Sequence, residues 1–355
     1  MVESSPDRKR KPARTMAPPE TPQQNTIRTT VALSTVLHSI VGSTFQRADR
    51  FREAILDSQD NDRKPLDPED IHQMRVSLRQ LRSCLQVFQH HLHLEKPAEE
   101  AVVKSLAKVL GAVRDLDILQ EQFQEQYLPR LPETEQDLLQ KMLRQWQGKR
   151  ARRLQILYDR LDSNSYRRFK KAYRRWLKEP QFSNQADLSF HVLAPDILLS
   201  VLCQLLQHPG WFVATIAEGG SYASLPFSQI CLRDLRHQEV AVHDLRKGIK
   251  QLRYQLVLLS PFLDPGSATS LNAIVNALKT FQDILGNLQD LAVIRHLLMA
   301  FLQQKGLQPE ALQTCFQILD QEYLALWQQW QPHQTQYISP SFRFELRQHF
   351  AELSR

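Results

Sequence analysis

Residues 71–82 read IHQMRVSLRQLR, and residues 242–253 read VHDLRKGIKQLR. Each stretch places one histidine and three basic residues at the same spacing, and the second copy follows the first by 171 positions. At 100° per residue, the four side chains of each copy fall within about 80° of one another and form a stripe about 15 Å long. The spacing predicts two helices that each carry one basic row. The first basic row is His72, Arg75, Arg79 and Arg82, and the second basic row is His243, Arg246, Lys250 and Arg253.

An apolar stripe runs beside each row, centred about 110° away in the first copy. The stripes are Ile71, Met74, Leu78, Leu81, Leu85 and Phe88, and Val242, Leu245, Ile249, Leu252 and Leu256. No Asp or Glu occurs between Ile71 and Leu94, although a solvated helix face usually mixes charges. We therefore expect the arginines of the first row to lack acidic partners on their own helix, and only Asp244 and Lys247 interrupt the pattern of the second copy. Each row should border the buried seam as the wall of a groove.

A second pair of segments repeats at nearly the same offset. KSLAKVLGAVRDLDIL (104–119) aligns with KTFQDILGNLQDLAVI (279–294). The shared residues are Lys104 and Lys279, Leu110-Gly111 and Leu285-Gly286, and Asp115-Leu116 and Asp290-Leu291. Long Leu-, Gln-, Arg- and Ala-rich stretches and only ten glycines favour helix throughout. The sequence predicts an all-α protein with two pseudo-symmetric four-helix-type bundles from an internal duplication.

Breaks in the helical pattern give the expected boundaries. Residues 1–26 form a basic, proline-rich tail that we expect to be disordered, and the halves cover about 27–180 and 195–355. Asp67 and Pro68 make a good helix start, as N-cap and first helical residue. We expect helices near 26–56, 68–93, 97–127, 133–178 with a joint at 162–165, 196–208, 240–259, 267–303, 309–331 and 341–353.

Composition limits the cellular setting. The net charge is +7, of which the body carries about +5, too little by itself to establish a polyanionic partner. The cysteines, which form no CxxC pair and are expected to be free thiols in a reducing compartment, are Cys84, Cys203, Cys231 and Cys315. There is no hydrophobic signal-peptide core, and no apolar run approaches the ~18–20 residues of a membrane span. We expect a cytoplasmic protein without membrane contact.

The two histidine motifs, each followed by a helix with the LG…D pattern, resemble the CHAD domain, the conserved histidine α-helical domain. The resemblance covers about residues 27–355, and its motifs are specific as an ordered, duplicated set. It implies two four-helix bundles related by a pseudo-twofold axis and binding of inorganic polyphosphate in a basic groove. Carried over to this sequence, it assigns both basic rows to the polyphosphate. The departures are Lys250, where an arginine is expected, and Gln289, where the first half has Arg114.

Secondary candidates for the anion are Lys104, Lys247 and Lys279. Lys104 and Lys279 each precede an aspartate by eleven residues, which places lysine and aspartate on one helical face. Either ligand contact or a structural ion pair fits these lysines. Asp115 and Asp290 are expected to orient arginines, because a carboxylate repels phosphate. We expect binding to strengthen from about pH 8 to pH 6, since a polyanion raises the pKa of His72 and His243.

Two other functions remain open at this stage. A phosphate-handling hydrolase would need a catalytic set, yet the chain has no HExxH, P-loop, GxSxG or paired cysteines, so we expect no enzyme and no cofactor. The histidines of HHLH (90–93) lack further metal ligands nearby, and we expect no metal. A nucleic-acid-binding helical protein could use the basic segment 148–178. Its aromatic residues recur at helical spacing, more typical of a core stripe than of a base-stacking platform: Tyr166, Phe169, Tyr173 and Trp176.

Overall fold

The computed structural model describes residues 31–60, 65–263 and 265–352, and the expected tail (1–26) lies outside them. These residues form eleven α-helices and one small antiparallel sheet, which confirms the all-α prediction. The helices are α1 (Leu33–Asp60), α2 (Pro68–Val87), α3 (Glu100–Gln122), α4 (Glu133–Asp162), α5 (Asn164–Lys178), α6 (Phe190–Leu206), α7 (Leu232–His237), α8 (Glu239–Leu259), α9 (Pro265–Lys305), α10 (Gln313–Ile338) and α11 (Pro340–Ala351).

Local sequence signals explain several helix ends. Asp67 caps α2, because its side chain accepts a hydrogen bond from the Glu69 amide and Pro68 occupies the first helical position. The predicted joint between the basic helices is Ser163, whose hydroxyl accepts a hydrogen bond from the Tyr166 amide at 3.2 Å. Both expectations are confirmed.

Other boundaries differ from the expectation. α2 ends at Val87 rather than near His93, because the chain turns there and Leu92 forms a β-bridge with Phe182. α6 begins before Pro195, at Phe190, because buried Phe190 and Ala194 join the core. The region after α6 contains strands β1 (Thr215–Glu218) and β2 (Ser221–Ser224). Gly219 and Gly220 connect these strands with positive φ angles of 55° and 80°, which favour a tight hairpin.

Helix order positions the two repeated helices side by side. α1, α2, α3 and α4 pack in sequence, as do α8, α9 and α10, and α2 also packs against α8. Buried Glu135 at the start of α4 accepts hydrogen bonds from the Thr314 and Cys315 amides, both at 2.9 Å, and so ties the first turn of α10 to α4. Because α2 and α8 contact each other, both basic-row helices lie where the two halves meet. The internal duplication itself stays an interpretation of the sequence.

Two further features bear on the cellular setting. All four cysteines are free thiols. Over Thr269–Lys305, α9 is long and apolar enough to span a membrane by length and composition, although polar residues interrupt its apolar stretches. Half of its most apolar window is buried inside the protein.

Candidate anion-binding groove

The first basic row lies on α2 and faces α3. The guanidinium of Arg75 lies across Gly111, where a Cβ atom would stand only 3.2 Å from the arginine Nε. One helical turn further along α3, Asp115 forms an ion pair with Arg75, with 3.4 Å between Nη2 and Oδ1. The glycine of the LG…D pattern thus leaves room for the arginine, and the aspartate orients it.

The second basic row repeats this arrangement on α8 and α9. The guanidinium of Arg246 lies across Gly286, where a Cβ atom would stand 3.2 Å from Nη2. At the far end of each row the last arginine also reaches the neighbouring helix. Arg82 pairs with Glu100, whereas Arg253 donates a hydrogen bond to Gln282 at 3.0 Å. At this end, therefore, a carboxylate pairs with the last arginine of the first row, whereas a neutral amide accepts from the last arginine of the second row.

The two rows meet in one place, because α2 packs against α8. A cavity of about 280 Å³ opens between these helices. Four residues of each helix line it, namely Arg79, Arg82, Ser83 and Gln86 from α2, and Lys247, Lys250, Gln251 and Tyr254 from α8. Residues of both basic rows therefore line this cavity, Arg79 and Arg82 from the first row and Lys250 from the second.

Tyr254 lies at the centre of the cations in this groove. Its ring centroid is 5.0 Å from Cζ of Arg253, 5.8 Å from Nζ of Lys250 and 6.0 Å from Cζ of Arg79, so cations of both rows surround one aromatic ring. Ser83 occupies the equivalent position of the first motif, and its buried hydroxyl has no hydrogen-bond partner among the described residues.

The crowded cations perturb one another. Burial, reinforced by Arg79, Arg246, Arg75 and Arg253, lowers the pKa of Lys250 to about 6. Burial also lowers the pKa of Arg79, an effect that Arg75, Arg246 and Arg82 strengthen and Tyr254 opposes. The free groove therefore holds more positive charge than its carboxylates balance, and Lys250 gives up its proton most readily.

The two aspartates of the repeated α3 and α9 motifs approach each other at the contact between the halves. Burial and the nearby Asp115 carboxylate raise the pKa of Asp290, whereas Arg246 and Lys250 act in the opposite direction. Asp115 pairs with Arg75, as the sequence predicted, and Asp290 interacts with the second row. The carboxylates therefore serve the arginines rather than form a separate acidic site.

The two histidines of the rows differ in their surroundings. Burial, helped by Lys247 and Arg246, lowers the pKa of His243, whereas Asp244 and a hydrogen bond that the imidazole donates to Gln289 oppose this change. Gln289 is the residue that replaces the arginine of the first half. The His243 Nδ1 is buried and has no partner in the described part of the chain. His72 is half-buried and forms no ion pair or hydrogen bond with the described residues.

The acidic partners of the first row come from the neighbouring helix, which the expectation about that row's own helix did not cover. Glu100 and Asp115, both from α3, pair with Arg82 and Arg75. Sequence reasoning also missed Tyr254, Ser83, Gln86 and Gln251 as lining residues. A signal existed for Ser83 and Tyr254, since each directly follows the last arginine of its motif.

The remaining candidate residues lie at the edges of the groove or away from it. Lys247 lines the cavity and pairs with Asp244, while Lys104 and Lys279 are exposed and form no ion pair with the described residues. The predicted core stripe of the basic segment is confirmed, because Tyr166, Phe169, Tyr173 and Trp176 are all buried. Within the described ranges, no three or more His, Cys, Asp or Glu side chains lie together as a metal site would require.

Fold and groove together define an all-α protein in which two equivalent helices place their cations around one shared cavity. The CHAD domain family model matches residues 46–299, which is more than half of the chain. This chain belongs to the CHAD domain family.

Solved structures agree with this assignment at the level of the fold. The crystal structure of the CHAD domain from the plant Ricinus communis is 23% identical, with a TM-score of 0.57, and the match covers 91% of this chain and 93% of that one. PptA from Streptomyces chartreusis is 14% identical, with a TM-score of 0.52, and the match covers 91% of this chain and all of that one. Among curated proteins, none matches the chain significantly.

Proposed function

We propose that this protein binds inorganic polyphosphate in the groove between α2 and α8 and does so without catalysis. The observation that carries the proposal is the convergence of both basic rows on one cavity. A linear polyanion presents the same charged group repeatedly, so it needs several cations in line. A single phosphate ion would need only one cluster.

The residue types suit phosphate oxygens. The planar guanidinium forks of Arg75, Arg79 and Arg246 offer paired donors, and Lys250 adds a mobile point charge. The ligand-free groove keeps these cations close together, where their mutual repulsion adds to burial in lowering the pKa of Lys250 to about 6. An anionic chain relieves that repulsion, so part of the binding free energy comes from the crowding itself.

Nucleic acid and a phosphate-handling hydrolase are the competing functions. The aromatic residues of segment 148–178 are buried in the core and do not offer bases a stacking surface. The groove instead offers donors suited to phosphate, and it offers one aromatic ring, that of Tyr254. We expect RNA to compete weakly and polyphosphate to remain uncleaved during binding.

The test measures affinity for long-chain polyphosphate, with orthophosphate and a random RNA oligonucleotide as competitors. The groove variant replaces Arg75, Arg79, Arg246 and Arg253 with alanine. The charge-control variant replaces four exposed cations that form no ion pair with the described residues, Arg144, Arg168, Lys171 and Lys178. The groove variant should lose binding and keep its helicity, while the charge-control variant should bind nearly as wild type does.

The salt dependence of the wild-type affinity checks the mode of binding. Each neutralised phosphate contributes a slope of about −0.7 in log K against log salt for a single-stranded polyanion. We expect affinity to rise with chain length and to fall steeply with salt. Equal binding of orthophosphate or RNA, or an unaffected groove variant, would refute the proposal.

A polyphosphate-binding protein without catalysis would localise or scaffold other components. We therefore propose a cytoplasmic role at polyphosphate granules. Imaging of the tagged protein should place it on the granules, and the groove variant should lose that position. A wild-type protein that stays diffuse in granule-containing cells would contradict the proposed role.

A further inference from the structure

The flank of the groove on α3 carries two exposed lysines in line with the first basic row. Lys104, Lys108, Gly111 and Asp115 recur at spacings of three and four residues and so share one face of α3. Gly111 and Asp115 touch Arg75, and Glu100, one turn before Lys104, pairs with Arg82. Lys104 and Lys108 therefore lie between these contacts, alongside the first basic row.

This cationic flank continues onto α4. Arg160 donates a hydrogen bond to the hydroxyl of Ser105 at 3.5 Å, next to Lys104, and Arg150 pairs with Asp117 nearer the other end of α3. Arg153 lies three residues after Arg150 and seven before Arg160. It therefore lies on the same side of α4 as these two arginines, which is the side next to α3. Arg153 is exposed and forms no ion pair with the described residues.

The other flank of the groove lacks this continuation. On α9, Asp283 stands where α3 has Lys108, so the stripe reads Lys279, Asp283, Gly286 and Asp290. Beyond α9 lies α10, which contains no lysine or arginine. α4, which packs on α3 as α10 packs on α9, contains seven lysines and arginines between Lys141 and Arg160. The cationic surface therefore extends from the groove in one direction.

We propose that a polyphosphate chain longer than the groove leaves it over α3 and follows the boundary between α3 and α4. We name this surface the exit face, and it consists of Lys104, Lys108, Arg153 and Arg160. The proposal rests on the proposed function and adds to it a direction and a preference for long chains. A short chain held within the groove does not reach the exit face, so only long chains gain from it.

The experiment compares tripolyphosphate with long-chain polyphosphate on three proteins. These are the wild type, an exit-face variant with alanine at the four exit-face positions, and the charge-control variant. Both variants lose four positive charges, so any effect of net charge alone is equal in the two. The exit-face variant should bind tripolyphosphate within about twofold of wild type and bind long chains at least about tenfold more weakly. Its salt slope for long chains should shrink by about 3, the share of four lost phosphate contacts.

The possible outcomes separate the two proposals. Equal loss of long-chain affinity in both variants would show an effect of net charge and overturn the exit face. Unchanged long-chain affinity in the exit-face variant would overturn it too. A wild type that binds neither ligand would instead refute the proposed function.

Discussion

The two glycines under the arginines permit a test of how the groove is built. Gly111 and Gly286 lie inside helices, where glycine costs roughly 0.5–1 kcal/mol of stability relative to alanine. Gly148 is also inside a helix, α4, and an added Cβ there would meet nothing within 4 Å. Replacing Gly148 with alanine should therefore raise the free energy of unfolding by about 0.5–1 kcal/mol and leave the polyphosphate affinity unchanged.

Alanine at Gly111 or Gly286 should behave differently. The new Cβ would stand 3.2 Å from the Arg75 or Arg246 guanidinium, closer than the ~3.5–4 Å of a comfortable contact, so the arginine must retreat by a few tenths of an ångström. At Gly111 the helix-propensity gain is then offset by the weakened pair between Arg75 and exposed Asp115, worth below about 1 kcal/mol. At Gly286 it is offset by the displacement of Arg246. Stability should change little, and affinity should fall.

The size of the loss in polyphosphate affinity follows from the hydrogen bonds between the displaced guanidinium and phosphate. A hydrogen bond to a charged group contributes about 1.5–3 kcal/mol, and a displaced guanidinium fork should lose about a third to a half of that. Each substitution should therefore weaken binding about twofold to tenfold, and the double variant by roughly the product. Isothermal calorimetry and chemical unfolding on the three single variants measure both quantities. If Gly111→Ala and Gly286→Ala matched Gly148→Ala in affinity and in stability, the idea that these glycines position the arginines would be wrong.

Three further predictions concern protonation and packing. Lys250, with a pKa of about 6, is mostly neutral near pH 7.5 in the free protein, and a bound polyanion raises that pKa, so affinity should be greatest below about pH 6 and fall as the pH rises. Calorimetry in buffers of different ionisation enthalpy should detect proton uptake, which Lys250→Arg should reduce; a wild type that takes up no protons would contradict this. Glu135→Ala should cost roughly 2–3 kcal/mol in chemical unfolding, because it leaves two amides of α10 without their charged acceptor, while Glu133→Ala on the exposed surface should cost little. Gly210→Ala should destabilise the protein by at least about 1–3 kcal/mol, because the new Cβ would stand 2.5 Å from the Ala241 carbonyl oxygen of α8, and an unchanged unfolding midpoint would disprove this contact.

The local features of the groove were predictable from the sequence because they follow from helical spacing. The two basic rows, the cap at Asp67 and the pairing of Asp115 with Arg75 all depend on periodicity or on a repeated motif. The aromatic stripe of segment 148–178 was likewise predicted as core, and all four residues are buried.

Features that depend on contacts distant in sequence were not predictable in this way. No helical pattern shows that α2 packs against α8, so the convergence of the rows on one cavity needed the structure. The same holds for Glu100 of α3, whose pair with Arg82 of α2 no pattern within either helix predicts. The early end of α2 has the same origin, since it depends on the bridge between Leu92 and Phe182.

The most direct test of the central claim is the stoichiometry of a short ligand. If α2 and α8 form one site, titration with tripolyphosphate should give one ligand per chain. Replacing either Arg75 and Arg79 or Arg246 and Arg253 with alanine should then abolish binding altogether. Two ligands per chain in the wild type, with one retained after either pair is removed, would mean two independent sites and would contradict a shared groove.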